Sequence, residues 1–218
     1  MKILLFLILA ISTLLAVDAC GQKSKIPKPP AGISNKELSN YRQATFAAGC
    51  FWHEEALFES VKGVKEVLSG YAGGNTPNPT YESIESGNTG HAETINVYYD
   101  STVITYPTLL KIFFAAQDPT QVNGQGNDRG TQYRSIVFYR NKQESDLIRA
   151  YIKSIQKDYS NPIAVQVKAF DKFWEAEKYH QNYIANNPYG GYVQAVSIPE
   201  IKHLQKEYPE LIKPNHFY

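Results

Sequence analysis

The spacing of apolar residues along this chain predicts both strands and helices. A short apolar run over 44–48 predicts a buried strand. Over 50–60 the apolar residues recur with the helical period, and the glutamates between them are expected to face water. Strict alternation over 94–100 predicts a strand with one buried and one polar face. Further strands are predicted over 64–71, 135–139 and 164–170, and further helices over 106–116, 143–157 and 175–184.

The order of these elements predicts the fold class. It runs strand–helix–strand and then strand–helix–strand–helix–strand, which is typical of an α/β (α+β) sandwich. We therefore expect a mixed β-sheet flanked by helices, with a ferredoxin-like core. Fold class by itself does not indicate function, so the chemistry has to come from particular side chains.

The first 40 residues have a different character. Lys2 precedes an apolar stretch that ends in Val17-Asp18-Ala19, so residues 1–19 are interpreted as a secretory signal peptide, with an uncleaved anchor as the alternative. Cys20 follows directly, and the segment 14–20 resembles the lipobox of bacterial lipoproteins, in which this cysteine is lipidated. Ordinary signal peptidase could cut the same bond.

These features predict three parts. They are a signal peptide (1–19), a proline-rich lipoprotein-type tether (20–40) and one folded domain (41–218). The protein is expected to be exported to the periplasm or cell envelope and held to the membrane through a lipid anchor on Cys20. We expect a monomer.

Composition narrows the function classes. The 218 residues are 43% hydrophobic and 20% charged, as in globular proteins, and the net charge of +1 gives no electrostatic reason to expect nucleic acid as a partner. Two cysteines cannot build a disulfide scaffold or a cysteine-rich zinc module, and the five histidines are scattered. We therefore expect no metal site.

Cys50 is the first candidate for chemistry. It follows a predicted strand and Gly49 and opens a predicted helix, where free N–H groups and the helix dipole favour a thiolate. A buried structural thiol and a Cys20–Cys50 disulfide are the alternatives. Phe51 and Trp52, which come next, could be core residues or the wall of an apolar pocket.

Two polar, glycine-rich loops could complete a site. The loop over 80–93 carries Tyr81 and Glu93, and the loop over 124–134 carries Asp128 and Tyr133. Composition alone leaves open whether these are functional loops or ordinary turns.

Several collinear motifs together resemble the A-type peptide methionine sulfoxide reductases. His53 stands where that family more commonly has glycine. The matching segments are 49–55, 70–74, 81–93, 126–135, 180–183 and 187–190.

This resemblance implies a role for each candidate residue. Cys50 resembles the family's nucleophile, and Glu93 resembles the acid that protonates the sulfoxide oxygen. Phe51 and Trp52 resemble the pocket for the substrate's methyl group. The remaining matches are Tyr81 and Tyr133, which resemble the phenols that bind the oxygen, and Asp128, which resembles a substrate-binding carboxylate.

The resemblance also implies the reaction and its partners. Methionine-S-sulfoxide, free or in oxidised proteins, would be reduced to methionine while Cys50 becomes a sulfenic acid. No cysteine follows Cys50, and Glu85 stands where some relatives have one. We therefore expect no cofactor but an external, thioredoxin-like thiol, unless Cys20 escapes lipidation and reaches Cys50.

Two other readings of the site stay open. Cys50 with His53, His91 or His180 could form a hydrolase or acyl transferase. Alternatively, the aromatic pocket could bind a thioether or a sulfoxide without turnover.

Overall fold

The computed structural model describes residues 35–214 and 216, so the predicted signal peptide, Cys20 and most of the predicted tether lie outside the described residues. The strands are β1 (Arg42–Ala47), β2 (Val64–Ala72), β3 (Ala92–Tyr99), β4 (Gly124–Gln125), β5 (Asp128–Arg129), β6 (Ile136–Tyr139), β7 (Gln166–Ala169) and β8 (Phe173–Glu175). The α-helices are α1 (Asn35–Leu38), α2 (Phe51–Glu59), α3 (Tyr81–Glu85), α4 (Tyr106–Ala115), α5 (Lys142–Ile155), α6 (Tyr183–Asn186) and α7 (Ile198–Glu207).

Six strands form one mixed sheet in the order β7-β6-β1-β3-β2-β8. All neighbours are antiparallel except β6 and β7. Within it, β1-α2-β2-β3-α4-β6 follows the β-α-β-β-α-β order with spatial order β6-β1-β3-β2, which is the ferredoxin-like arrangement. The predicted fold class is confirmed.

Aromatic packing joins the sheet to its helices. Phe46 of β1 stacks on Phe58 of α2, with ring centroids 5.4 Å apart, and on Phe113 of α4, at 5.0 Å. All three rings are fully buried, so each contributes a large apolar area to the core. Strand β1 and helices α2 and α4 therefore share one apolar core.

Strand β3 is buried on both faces, and the prediction of one polar face was wrong. Thr94 and Asn96 are 0% and 3% exposed. The polar side chains of β3 have partners on this face of the sheet: Thr45 Oγ1 donates to Asn96 Oδ1 over 2.8 Å, and Arg140, which follows β6, donates to Thr45. Hydrogen bonding between buried polar groups makes this face compatible with burial.

Helix α2 also departs from its prediction. Glu54, Glu55 and Glu59 were expected in water, yet all three are buried. The helix packs against β2 and β3 and also against α6 and α7, so no face is left for solvent. Burial raises the pKa of each of these carboxyls, to about 8 for Glu59.

The predicted helix over 175–184 was wrong. Residues Phe173–Glu175 form β8, which pairs with β2, and the chain then turns before α6. Gln181 explains the turn, because its side chain accepts a hydrogen bond from Ser69 N–H and donates to Ser69 C=O, filling a gap beside β2. Helices α3 and α7 and the β4–β5 hairpin were not predicted. Over residues 35–214 and 216, no helix combines the length and apolar character needed to cross a membrane.

Candidate active site

Cys50 is the N-cap residue of α2. Gly49 before it has φ +80, a left-handed conformation that glycine adopts without strain, and the chain there turns from β1 into the helix. The Cys50 carbonyl accepts the first helical hydrogen bonds from the N–H groups of His53 and Glu54. The sulfur thus lies at the positive end of α2.

The Cys50 thiol is nevertheless not held as a thiolate. Burial raises its pKa well above the ordinary value and the charge of Glu93 adds to this, while the N–H groups of Trp52 and His53 act in the opposite direction. In the substrate-free enzyme desolvation thus acts against the thiolate that the helix terminus favours.

Glu93 lies at the start of β3, opposite Tyr71 of β2. It is 2% exposed, and its Oε2 accepts a hydrogen bond from the Phe51 N–H over 3.0 Å. Burial raises the pKa of Glu93 to about 8, partly offset by that hydrogen bond. The raised pKa favours the protonated carboxyl at neutral pH, so Glu93 can act as an acid toward a bound substrate.

One cleft of about 90 Å³ brings together every catalytic and substrate-binding residue predicted from the sequence. Cys50 and Glu93 lie in it with the aromatic pair, two phenols and an aspartate, although they come from separate segments of the chain. The lining residues are Cys50, Phe51, Trp52, Tyr81, Glu93, Asp128, Tyr133 and Tyr192.

An aromatic cluster forms the apolar wall of this cleft. The Trp52 ring stacks on Tyr183 with centroids 3.7 Å apart, and Trp52 Nε1 donates to His180 Nδ1 over 3.0 Å. The Phe51 and Tyr81 rings both contact the His180 ring, at 4.9 and 4.4 Å. His180 and Tyr183 belong to a motif quoted above, but sequence reasoning did not identify them as supports for Trp52.

The two phenols enter the cleft from different elements. Tyr81 begins α3, and its N–H donates to Glu177 Oε1 over 3.0 Å. Tyr133 ends a 3₁₀ turn, and its hydroxyl donates to Glu85 Oε1 over 3.2 Å. Burial and the nearby Glu93 raise the pKa of both phenols, so both remain neutral hydrogen-bond donors.

Tyr192 is a residue of the cleft that sequence reasoning missed. Its hydroxyl donates to Asp128 Oδ2 over 2.8 Å and thereby ties the C-terminal segment to the β4–β5 hairpin. The feature of the sequence that could have pointed to Tyr192 is its position just after the 187–190 motif. Nothing local to Tyr192 shows that it meets Asp128, which lies far away in the chain.

The β4–β5 hairpin is locked against the Cys50 turn. A Cβ at Gly49 would lie 2.8 Å from the Cβ of Gln125. Gln125 pairs with Asp128 across the hairpin, and its Nε2 donates to Gln117 Oε1, Asp118 C=O and Ser135 Oγ. These contacts hold Asp128 in place relative to Cys50.

A sequence model described as "Peptide methionine sulfoxide reductase" matches residues 42–211. The chain belongs to the peptide methionine sulfoxide reductase family. The enzyme is therefore an oxidoreductase that reduces methionine sulfoxide, and the match spans the cleft from Cys50 to Tyr192.

Individual relatives and solved structures agree with this membership. The chain is 39% identical to the peptide methionine sulfoxide reductase MsrA of Polynucleobacter asymbioticus, covering 84% of this chain and 98% of the relative. It is 45% identical to the peptide methionine sulfoxide reductase MsrA of Natronomonas pharaonis, and the match covers 78% of this chain and 96% of the relative. Its fold is similar to that of reduced Mxr1 from Saccharomyces cerevisiae, with a TM-score of 0.65 and 32% identity over 76% of this chain and 92% of the other. It is also similar to that of methionine sulfoxide reductase A from Corynebacterium diphtheriae, with a TM-score of 0.63 and 34% identity over 68% of this chain and 76% of the other.

The histidines considered for a hydrolase have other partners in this reductase. His91 accepts from Gly74 N–H at Nδ1 and lies 2.8 Å from Thr76 C=O at Nε2, and His180 is engaged with Trp52. His53 Nδ1 lies 3.5 Å from Glu200 Oε2. Within residues 35–214 and 216, no group of three or more His, Cys, Asp or Glu side chains is arranged to hold a metal ion.

Proposed function

We propose that this reductase acts on methionine-S-sulfoxide, free or in oxidised proteins, by attack of Cys50 on the sulfoxide sulfur with proton delivery from Glu93. The observation that carries the proposal is the single cleft in which Cys50 and the protonated Glu93 meet. Repair of oxidised proteins would be the physiological outcome.

The chemistry follows from the polarity of a sulfoxide, whose sulfur is positive and whose oxygen is negative. The Cys50 sulfur, having lost its proton, bonds to the substrate sulfur while the substrate oxygen accepts a proton from Glu93. Tyr81 and Tyr133, whose hydroxyl turns from Glu85 to the substrate, stabilise the charge on that oxygen. The S–O and S–S bonds to the substrate sulfur then break as the hydroxyl passes to Cys50. Methionine leaves reduced by two electrons, and the Cys50 thiol is oxidised to a sulfenic acid.

The preference for one epimer has a geometric basis. Phe51 and Trp52 receive the methyl group, the phenols receive the oxygen, and Cys50 approaches the sulfur, so the directions of three substituents are set by the protein. Only one configuration at the sulfur satisfies all three. The family resemblance indicates that this is the S epimer.

Recycling of Cys50 is proposed to require an external thiol such as thioredoxin. Cys50 is the one cysteine among the described residues, and the sequence has only Cys20 besides it. Without a resolving thiol in the domain, the sulfenic acid must be reduced from outside. We propose that the enzyme needs no further cofactor and acts as a monomer.

The decisive test compares purified wild type and Cys50→Ser, without reductant, on the separate S and R sulfoxides of N-acetylmethionine. Wild type should form one methionine per enzyme from the S epimer only, and Cys50→Ser should form none. Turnover by Cys50→Ser would refute the mechanism. Cys20→Ser is the matched control and should behave as wild type; an intramolecular Cys20–Cys50 disulfide in the treated wild type would refute external recycling.

We further propose export and lipid anchoring through Cys20, supported by the sequence of residues 1–20. Mass analysis of the mature N-terminus from membranes should give a chain that begins at a diacylated Cys20. A chain that keeps residues 1–19, or that begins at an unmodified Cys20, would contradict lipidation.

A further inference from the structure

A second cavity reaches Cys50 from a different set of residues. This groove has a volume of about 460 Å³, and its charged or titratable lining includes Asp118, Glu200 and His203 as well as His53 and Glu54. Glu93, the two phenols and the aromatic pair line the small cleft and not the groove. Cys50, Asp128 and Tyr192 line both, so they form the partition between the two cavities.

The groove contains polar groups with unused hydrogen-bonding capacity. Glu54 is 1% exposed, and its Oε2 has no hydrogen-bond partner among the described residues, while Nδ1 of His53 makes no hydrogen bond and lies 3.5 Å from Glu200 Oε2. A buried polar atom without a partner is costly, and such atoms in a cavity wall commonly mark the place of a ligand group. The mechanism proposed above uses neither residue.

The groove is also acidic. Of the described residues that line it, none is a lysine or an arginine, whereas Asp118, Asp128 and Glu200 are acidic. Burial and the charge of Asp128 raise the pKa of Glu200, whose side chain is 55% exposed. Hydrogen bonds from the Thr120 hydroxyl and N–H lower the pKa of Asp118, which keeps it ionised at neutral pH. A cavity with this charge attracts cationic or neutral groups and repels anions.

Displacement at a sulfenic acid requires access from the side opposite to the leaving hydroxyl. The hydroxyl of oxidised Cys50 comes from the sulfoxide and therefore lies in the small cleft, beside Glu93 and the phenols. The entering sulfur must approach from another direction, and the groove provides one. Building on the function proposed above, we propose that this groove admits the thiol that reduces the Cys50 sulfenic acid and that its carboxylates favour thiols on cationic or neutral carriers over anionic ones.

The sulfur of the entering thiol bonds to Cys50 Sγ, the S–O bond breaks, and the hydroxide leaves as water with the proton of the thiol. Cys50 is reduced and the entering sulfur is oxidised, giving a mixed disulfide. A second thiol then attacks the entering sulfur, forms the reductant's disulfide and returns Cys50 to the thiol.

The test separates the two half-reactions in the full-length enzyme. Wild type is first oxidised with one equivalent of methionine-S-sulfoxide, and the methionine formed is measured. Cysteamine, 2-mercaptoethanol or 3-mercaptopropionate is then added, and loss of the sulfenic acid is followed by mass spectrometry after dimedone trapping. Comparing each thiol between variants cancels its intrinsic reactivity.

Glu200→Gln removes one groove carboxylate, and Glu207→Gln, exposed on the same helix and outside the groove, is its control. Glu200→Gln should lower the ratio of the cysteamine rate to the 3-mercaptopropionate rate by about twofold to fivefold, the range expected for one partly exposed charge. Glu207→Gln should leave the ratio unchanged. An unchanged ratio in Glu200→Gln would overturn the charge preference.

Ala116→Phe fills the groove, and Ala150→Phe, exposed on α5, is its control. The filled groove should slow resolution by all three thiols by at least about tenfold while methionine formation stays at the wild-type rate. A thioredoxin-like protein tested in parallel shows whether the protein reductant uses the same entry as the small thiols. If Ala116→Phe slows resolution of the sulfenic acid by both kinds of reductant, or by the small thiols alone, the result supports the groove as a thiol entry.

Two outcomes would contradict the inference in different ways. If Ala116→Phe raises the KM for a sulfoxide-containing peptide and leaves thiol resolution unchanged, the groove binds the substrate polypeptide instead. If wild type forms no methionine in the first step, the proposed function fails before the groove is tested.

Discussion

The N–H of Phe51 donates a hydrogen bond to Oε2 of Glu93, with 3.0 Å between the two atoms. Because Phe51 follows Cys50, this bond fixes the acid beside the nucleophile. Glu93 is buried and Cys50 is half-buried, and both have raised pKa values, that of Glu93 to about 8. At neutral pH each group therefore holds a proton. Attack on a sulfoxide requires that the pair has lost one of these two protons, so that the Cys50 sulfur is deprotonated while Glu93 keeps a proton to donate.

The first prediction concerns pH. The reactive form has lost one proton from the Cys50–Glu93 pair, so methionine formation in a single turnover should rise with pH up to about 8 and then level off. In Glu93→Gln the rate should fall by about 10²-fold to 10⁴-fold, and the rise near pH 8 should disappear. Stopped acid-quench measurements from pH 5 to 10 would check this; a Glu93→Gln profile that keeps the wild-type shape would contradict the acid role.

A second prediction concerns the two phenols. Tyr81→Phe and Tyr133→Phe each remove one donor to the oxygen, and each should lower kcat by roughly 10²-fold, because such donors act most strongly on the charge of the transition state. Steady-state kinetics with dithiothreitol would measure this. Tyr139→Phe, on β6 and outside the cleft, is the control. A rise in KM with kcat unchanged would show that the phenols only bind the ground state.

A third prediction concerns His180, a positioning residue for Trp52. Burial lowers the pKa of His180, so Nδ1 remains a neutral acceptor for the Trp52 N–H. His180→Leu should leave the indole loose and raise the KM for N-acetylmethionine sulfoxide by about fivefold, a loss of the size of one hydrogen bond, with little change in kcat. His180→Asn keeps an acceptor and should retain most of the affinity; equal losses in both variants would argue against positioning.

A fourth prediction concerns stability. Glu59 titrates near 4.5 in the unfolded chain and near 8 when folded, because of burial and the charge of Glu66. Between these values the folded state holds a proton that the unfolded state releases, so the contribution of Glu59 to stability falls as pH rises from about 4.5 to 8 and stays low above 8.

Glu59→Gln should therefore raise the free energy of unfolding at pH 8.5 by roughly 1 to 3 kcal/mol and change it little at pH 4. Urea denaturation at the two pH values would measure the difference. Glu207→Gln, at an exposed position, should change neither. An equal effect of Glu59→Gln at both pH values would exclude its ionisation as the cause.

The local sequence patterns correctly predicted the strands and helices whose apolar residues follow a clear period. The strand near 44–48, the helix from Cys50 and the long helix α5 were found within a few residues of their ends. The patterns could not show that Asn96 and Glu55 are buried, because their burial depends on neighbours distant in the chain. For the same reason the helix predicted over 175–184 failed, since Gln181 bonds to β2 rather than to its own segment.

The site was predictable through its motifs rather than through periodicity. Cys50, Glu93 and Asp128 were selected because several motifs together resembled one family, and the structure places them in one cleft. Tyr192 and the Trp52–His180 hydrogen bond were not found. Each is a contact between distant segments, which a single sequence without an alignment does not reveal.

The close approach of Gly49 to Gln125 has a consequence for how this enzyme can vary. The base of the hairpin that carries Asp128 leaves no room for a side chain at Gly49, whereas a Cβ at the hairpin tip, Gly126, would have no atom within 4 Å. Insertions should therefore be tolerated at the tip and rejected beside Gln125, although Gly126 itself, with φ +53, favours glycine for its backbone conformation. We therefore expect the sequence at the Cys50 turn and the sequence beside Gln125 to constrain each other, although the two segments lie far apart in the chain.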